Sequence, residues 1–308
     1  MLLSLALLVV AGLLLFAGAE TFVEHAARAG VRLGVTGLAV GLLLAGAEPE
    51  ELVTSVIAAV RGRGGLAVGD AIGANVTMLT AVLGLAALLS PLPVSGRARR
   101  YLIGAGVLGA AAAALLPGGV GRAEGAGLVV LYVAAVAFVW RGERETPAIG
   151  ELAELQVRDV SGETGRPGVA MALLGLGVMT AGGWLAVLGA ERVVEAFGVE
   201  ETAVGLSLVA LVTTGELFAL VAASYRRRVT ELAVAAVVGS AGYNATMTLG
   251  GAALARPIAA PGAVGAAWLA AGLPLGIAGL AGRGTILPRW GGVVLVAIYV
   301  AYLGVLYG

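Results

Sequence analysis

The sequence predicts an all-α polytopic membrane protein with about ten transmembrane helices, arranged as two inverted-topology repeats of five helices. Three observations predict this fold class. The 308 residues are 59% hydrophobic and 12% charged, which is about half the charged fraction of an ordinary soluble domain. Apolar runs of membrane-spanning length recur along the whole chain. The two halves of the chain also carry matching motifs at corresponding positions.

The apolar runs are each long enough to cross roughly 30 Å of hydrocarbon as a helix. The predicted spans are residues 2–19, 33–60, 66–90, 100–117, 124–140, 168–190, 203–224, 232–254, 262–282 and 290–307. We interpret the first as a retained span rather than a signal peptide, because no basic residue precedes it. The second is interrupted at Gly46–Glu51, where charge enters hydrophobic sequence.

One long hydrophilic segment divides the chain nearly in half. We expect a first five-span repeat at residues 1–140, a cytoplasmic linker at 141–167 and a second five-span repeat at 168–308. The loops that lie inside when the N-terminus is placed outside carry the excess of Arg, which predicts that orientation in a plasma membrane. Because five is odd, the second repeat enters the membrane from the opposite side, and such repeats place a site near the midplane.

Short motifs recur in the second and third spans of each half, in regions at about 38–80 and 202–249. Leu38–Leu42 parallels Thr202–Leu206, Glu51-Leu52 parallels Glu216-Leu217, and Ala71–Ala74 parallels Val237–Ser240. These pairs are the sequence evidence for an internal repeat.

Glu51 and Glu216 are the principal candidate site residues. A carboxylate inside a span costs at least about 2.5 kcal/mol on insertion scales, and neither glutamate has an Arg within a helical turn. Pro49 precedes Glu51, and Thr213-Thr214-Gly215 precedes Glu216, so each follows a predicted helix break. Freed carbonyls and carboxylates suit hard cations such as Ca²⁺ and Na⁺.

Further polar groups accompany these glutamates. Glu48 shares a helix face with Glu51, and carboxylates this close compete for neutralising charge, which makes a proton a candidate coupling ion. The next span of each half adds amide or hydroxyl groups, Asn75 in the first half and Ser240 with Asn244 in the second.

The first motif region resembles the alpha-repeat of the cation/calcium antiporter superfamily, and within it the sodium/calcium exchanger branch. Glu51–Gly62 (ELVTSVIAAVRG) followed by Leu66–Asn75 (LAVGDAIGAN) is similar to G-T-S-x-P-E-L-x-x-S, a K/R-G turn and G-N-x-I-G-S-N. The second region, Thr213–Asn244, fits the pattern less closely. The resemblance implies exchange of Na⁺ for Ca²⁺ by alternating access.

The resemblance also implies a ligand set. The carboxylate ligands are Glu51 and Glu216, and the backbone carbonyls are those of Ala47 and Val212. The other side chains in the set are Glu48 and Thr213, which occupy the serine positions of the G-T-S motif, and Ser240, Asn244 and Asn75. Asp70 occupies a position where the pattern has Asn. Ala74 and Met78 replace a serine and an amide ligand in the first repeat. These losses weaken the inference of sodium coupling more than that of divalent transport.

The expected partners are therefore inorganic cations (Ca²⁺, Na⁺ or H⁺) and the lipid bilayer. No basic patch indicates nucleic acid, no cofactor is predicted, and the sequence contains no signal for an oligomeric state. The leading hypothesis is a cation antiporter rather than an enzyme. A drug/metabolite-type solute carrier shares the five-plus-five architecture, and a degenerate, non-transporting paralogue is the other alternative.

Overall fold

The structure, a computed structural model, describes residues 2–32, 48–143, 168–218, 221, 230–282 and 285–308. Regular structure there is almost entirely helical. The long helices are α1 (Leu2–Arg32), α2 (Pro49–Val60), α3 (Gly64–Leu89), α4 (Gly96–Leu115), α5 (Arg122–Glu143), α6 (Gly168–Phe197), α7 (Glu201–Thr213), α8 (Thr230–Tyr243, continued by Asn244–Thr248 and Leu249–Ala255), α9 (Val264–Ala281) and α10 (Arg289–Tyr307). Two-residue strands, β1 (Leu92–Pro93) and β2 (Ile286–Leu287), pair antiparallel.

Within the described residues, seven helices are long and apolar enough to cross a membrane. They are Leu2–Val23, Gly64–Leu89, Gly96–Gly118, Arg122–Val139, Gly168–Phe197, Pro261–Ala281 and Arg289–Tyr307. Each coincides with a predicted span. Residues 33–47 of the second predicted span, and 144–167 of the predicted linker, lie outside the described residues.

Two helices extend beyond the apolar spans predicted at their positions. Helix α1, which contains the predicted span 2–19, continues to Arg32. Helix α6, which contains the predicted span 168–190, continues to Phe197 and stops before Gly198, whose φ of +63° suits a helix end. Polar residues can extend a helix beyond the hydrocarbon, so hydropathy underestimates helix length.

The two halves have matching local distortions. In α3 a π-helical turn at Met78–Val82 separates the α-helical parts Gly64–Thr77 and Leu83–Leu89. The corresponding turn in α8 is Asn244–Thr248. In each turn the third residue, Thr80 or Thr246, donates a hydrogen bond to the carbonyl four residues earlier. Equal distortions at equal positions support the repeat that the motifs predicted.

Backbone bridges also join the halves. Leu92 pairs with Leu287 in the β1–β2 pair, and Val120 pairs with Ile258 in a separate antiparallel bridge. In each bridge one residue belongs to the first half of the chain and the other to the second half.

Helices α3 and α7 cross at very short distance. A Cβ on Gly69 would lie 2.7 Å from the Cα of Gly205, and one on Gly73 would overlap the backbone of Leu206. Small residues permit such close helix approach in membranes. Because α3 belongs to the first half and α7 to the second, this crossing brings side chains of the two halves together.

Candidate cation site

Three acidic residues within four positions lie at the beginning of α2. Glu48 precedes the helix with φ −116° and ψ 78°, Pro49 takes its first position, and Glu50 and Glu51 complete its first turn. Proline suits this position because its missing N–H would have no helical partner there. The break predicted before Glu51 therefore corresponds to the beginning of a helix.

The three carboxylates are buried together. Glu48, Glu50 and Glu51 are at most 1% exposed, and one oxygen of each lies within 4.8 Å of the others. We call these three residues the carboxylate cluster. Burying an uncompensated charge is costly, and like charges at this distance repel. The cluster therefore requires positive charge, from cations or protons, to be stable.

Arginine does not supply that charge in the part of the chain that the structure describes. The ion pairs there join Arg61 and Arg63, in the α2–α3 loop, to Glu191 and Glu201. Hydrogen bonding to Glu191 raises the pKa of Arg63 above its ordinary value. None of these pairs involves the carboxylate cluster.

Asp70 lies at the contact between the halves. It is fully buried on α3, its Oδ2 accepts a hydrogen bond of 2.9 Å from Ser55 on α2, and its Oδ1 accepts one of 2.9 Å from Thr213 on α7. A carboxylate has about four acceptor positions, so Asp70 keeps capacity for another partner.

Two further contacts cross between the halves. The hydroxyl of Ser240, on α8, donates a hydrogen bond to Glu48. The side-chain amide of Asn75 donates one of 2.9 Å to the carbonyl oxygen of Ala241. The structure thus brings the predicted residues Glu48 and Ser240 into direct contact, although 192 positions separate them.

Several buried polar atoms at this contact have no hydrogen-bond partner among the described residues. They are Oε2 of Glu48, both carboxylate oxygens of Glu51, Oγ1 of Thr54, Oδ1 of Asn75, Oγ1 of Thr77 and Nδ2 of Asn244. Buried polar groups usually have partners, so a group of exceptions indicates a binding site or a functional region. All but the amide of Asn244 offer an oxygen, the atom that hard cations prefer.

The second half differs from the symmetric expectation around Glu216. Helix α7 ends at Thr213, and a short helical stretch resumes at 215–218 after non-helical Thr214, which confirms the predicted break. Glu216 is half-buried and borders a cavity of about 340 Å³ between this break and α1. It lies within electrostatic range of Glu51, but it does not belong to the carboxylate cluster.

The remaining predicted ligands have diverse positions. Asn244 is buried at the start of the π-helical turn, where its Oδ1 accepts a 2.9 Å hydrogen bond from Thr248. Val212 borders the same cavity as Glu216, and its carbonyl oxygen faces Gly12 of α1. Ala47 lies outside the described residues.

Sequence reasoning missed Glu50, Thr54 and Ser55. Glu50 is adjacent to Glu51, and because the helix begins at Pro49, both residues lie in its buried first turn. Ser55 is the final serine of the L-x-x-S motif, so the motif itself carried a signal. Thr54 has no comparable signal, because its significance depends on its missing hydrogen-bond partner.

The broken helices and buried carboxylates match a known family. A sequence model of the family described as "Sodium/calcium exchanger protein" matches residues 3–141 and 167–308. The chain belongs to the sodium/calcium exchanger family. Membership places it among cation-antiporting transporters, and it confirms the resemblance found in the first motif region.

Two full-length relatives agree with this family assignment. The chain is 30% identical over 263 residues to "Putative antiporter CaxA" of Alkalimonas amylolytica, covering 82% of this chain and 80% of that protein. It is 29% identical over 265 residues to "Inner membrane protein YrbG" of Escherichia coli K12, covering 83% and 81%. Both are similar along most of their length.

Solved structures of the sodium-calcium exchanger NCX_Mj have the same fold. One of them, soaked with 10 mM Na⁺ and zero Ca²⁺, superposes with a TM-score of 0.64 at 21% identity and covers 98% of both chains. The predicted fold class is confirmed. The chain is an all-α polytopic membrane protein with about ten transmembrane helices in two inverted five-helix repeats.

Proposed function

We propose that this protein is a secondary active antiporter that exchanges Ca²⁺, or a similar cation, for Na⁺ or H⁺. The carboxylate cluster supports the proposal most strongly. It is buried where two inverted halves meet, it begins at a helix break, and its three carboxylates offer oxygen ligands within 4.8 Å of one another. Carboxylate oxygens are the ligands that hard cations prefer.

The proposed ligands come from both halves. Glu51 and Glu48 provide carboxylates from the first half, with Asp70 and Asn75 beside them. Glu216, Thr213, Ser240 and Asn244 contribute from the second half, together with the backbone carbonyls of Ala47 and Val212. Alternating access would follow if one half rocks against the other around this midplane site.

The coupling ion is the least determined part of the proposal. Ala74 and Met78 are fully buried at positions where the family pattern has a serine and an amide. Apolar side chains cannot replace those sodium ligands. This difference favours proton coupling as the second candidate, with the same carboxylates carrying either ion.

The proposed topology follows the arginine distribution. We place the N-terminus outside and the 141–167 linker in the cytoplasm, between repeats at 1–140 and 168–308, in the plasma membrane. Labelling of single introduced cysteines, in a chain that has none of its own, would test each loop. Labelling of residue 155 from the outside would contradict this orientation.

The experiment that tests the function is ⁴⁵Ca²⁺ flux into proteoliposomes. We expect uptake against an imposed Na⁺ gradient or an imposed pH gradient, and Glu51→Gln should abolish it. The matched control is Glu195→Gln, which changes an exposed glutamate on α6 and should leave uptake intact. Uptake of an organic solute without cation counterflow would favour the metabolite-carrier alternative instead, and complete inactivity would favour a degenerate paralogue.

A further inference from the structure

Glu50 is the member of the carboxylate cluster that the family motif does not explain. The motif has proline at this position, whereas here Pro49 stands one residue earlier and the next position carries a carboxylate. Proline offers no side-chain ligand. The substitution therefore adds a potential ligand to a helix turn that is otherwise recognisable as the family site.

The carboxyl group of Glu50 lies close to those of its neighbours. One of its oxygens is within 4.8 Å of an oxygen of Glu48 and of Glu51, and the residue is 1% exposed. Carboxylates this close repel one another unless a proton or a cation neutralises them. A cation bound by Glu48 and Glu51 would therefore contact Glu50 as well.

Thr54 provides a second, independent indication of a ligand. It is fully buried, and its hydroxyl has no partner among the described residues. Buried Thr80, Thr214 and Thr246 each bond back to the carbonyl four residues earlier, as threonines in helices commonly do. Thr54 is four residues after Glu50, so the two side chains lie on the same face of α2.

We propose that Glu50 is a third carboxylate ligand that makes this site selective for divalent over monovalent cations, with the Thr54 hydroxyl beside it. Affinity for hard dications rises with the number of charged ligands. Three neighbouring carboxylates gain more from one doubly charged ion than from one singly charged ion, since the Coulomb energy scales with the product of the charges. This inference rests on the proposed function.

The test compares Glu50→Gln with the unaltered protein in two assays. In proteoliposomes, the Ca²⁺ concentration for half-maximal exchange should rise roughly 10–100-fold, whereas the corresponding Na⁺ concentration should change far less. In detergent, the Ca²⁺-dependent rise in melting temperature should shrink while the Na⁺-dependent rise persists. Thr54→Val, which keeps the shape, should shift Ca²⁺ dependence in the same direction by a smaller factor.

The outcomes separate this inference from the proposed function. An unchanged Ca²⁺ dependence in Glu50→Gln, or equal weakening of Ca²⁺ and Na⁺, would overturn the selectivity role. If the variant has no flux, the melting assay still compares the two cations, and preserved selectivity there would overturn the role as well. Absence of cation-driven flux in the unaltered protein would instead overturn the proposed function. Glu195→Gln is the control in both assays.

Discussion

The two halves of this protein have the same scaffold but contribute different chemistry to the proposed site. The first half brings three buried carboxylates at the start of α2 and apolar Ala74 and Met78 on α3. The second half brings the hydroxyl of Ser240 and the amide of Asn244 on α8, with its motif glutamate, Glu216, half-buried near α1. The two halves thus keep the same backbone geometry, while most of the acidic groups of the proposed site belong to the first half.

The largest expected difference between the halves concerns their motif glutamates. Glu51→Gln should reduce exchange by about 100-fold or more, and Glu216→Gln by about tenfold, because ligands nearer a metal matter more than peripheral groups. Glu51 is fully buried in the cluster, whereas Glu216 borders a cavity. Initial rates of ⁴⁵Ca²⁺ uptake measure both effects. Equal losses in the two variants would show that the halves contribute symmetrically.

A substitution at the crossing of α3 and α7 tests whether close packing there holds the two halves together. Gly69→Val would force a side chain into the backbone of Gly205, and overpacking of this kind costs about 1–3 kcal/mol. We expect a lower melting temperature and weaker exchange, because Asp70 would move away from Thr213.

Gly104→Ala is the matched control for that crossing. Its Cβ would meet no atom within 4 Å, so replacing an exposed helical glycine should be neutral or should stabilise the protein by up to about 1 kcal/mol. Similar melting temperatures for the two variants would argue against close packing at the α3–α7 crossing.

A smaller effect is expected from restoring symmetry between Ala74 and Ser240. Ala74→Ser introduces the hydroxyl that the second half already has, and it should increase Na⁺-driven Ca²⁺ uptake by a few-fold, on the order of the 1 kcal/mol that one hydrogen-bonding group contributes. Ser240→Ala should have the opposite effect. Na⁺ dependence of uptake at constant pH is the measurement, and an unchanged Na⁺ dependence in Ala74→Ser would mean that this position does not contact sodium.

The smallest effect is expected at the ion pairs between the α2–α3 loop and the second half. Arg63 donates a 2.9 Å hydrogen bond to Glu191 and is about a third exposed. Such pairs contribute about 0.2–1 kcal/mol, so Arg63→Gln should lower the melting temperature slightly. The difference should diminish in high salt because solvent ions screen the pair. A large effect that persists in high salt would indicate a role beyond charge pairing.

Much of the fold was predictable because hydrophobicity is a local property. The seven membrane-length helices coincide with predicted spans, and the break before Glu216 was predicted from Thr214 and Gly215. Helix ends were less predictable, since polar residues extend α1 and α6 beyond their apolar segments. The π-helical turns at Met78–Val82 and Asn244–Thr248 had no recognised sequence signal.

Parts of the candidate site were predictable from residue type alone, where burying a charged side chain in the membrane costs free energy. A glutamate in a membrane span stands out at any position, and this identified Glu51 and Glu48. Glu50 was overlooked because its importance depends on sharing one buried turn with its neighbours. Asp70 was identified as a candidate, but its hydrogen bonds to Ser55 and Thr213 depend on three helices meeting.

The sequence by itself therefore determined the membrane-spanning architecture, the repeat and the position of buried charge. Each of these depends on which residues occur within one short segment of the chain. Only the tertiary structure decided which of these charges share one site. It placed Ser240 against Glu48, Thr213 against Asp70 and Glu216 beside α1. The physical reason is that helices distant in sequence pack against one another, as α3 and α7 do where Thr213 meets Asp70, 143 positions away.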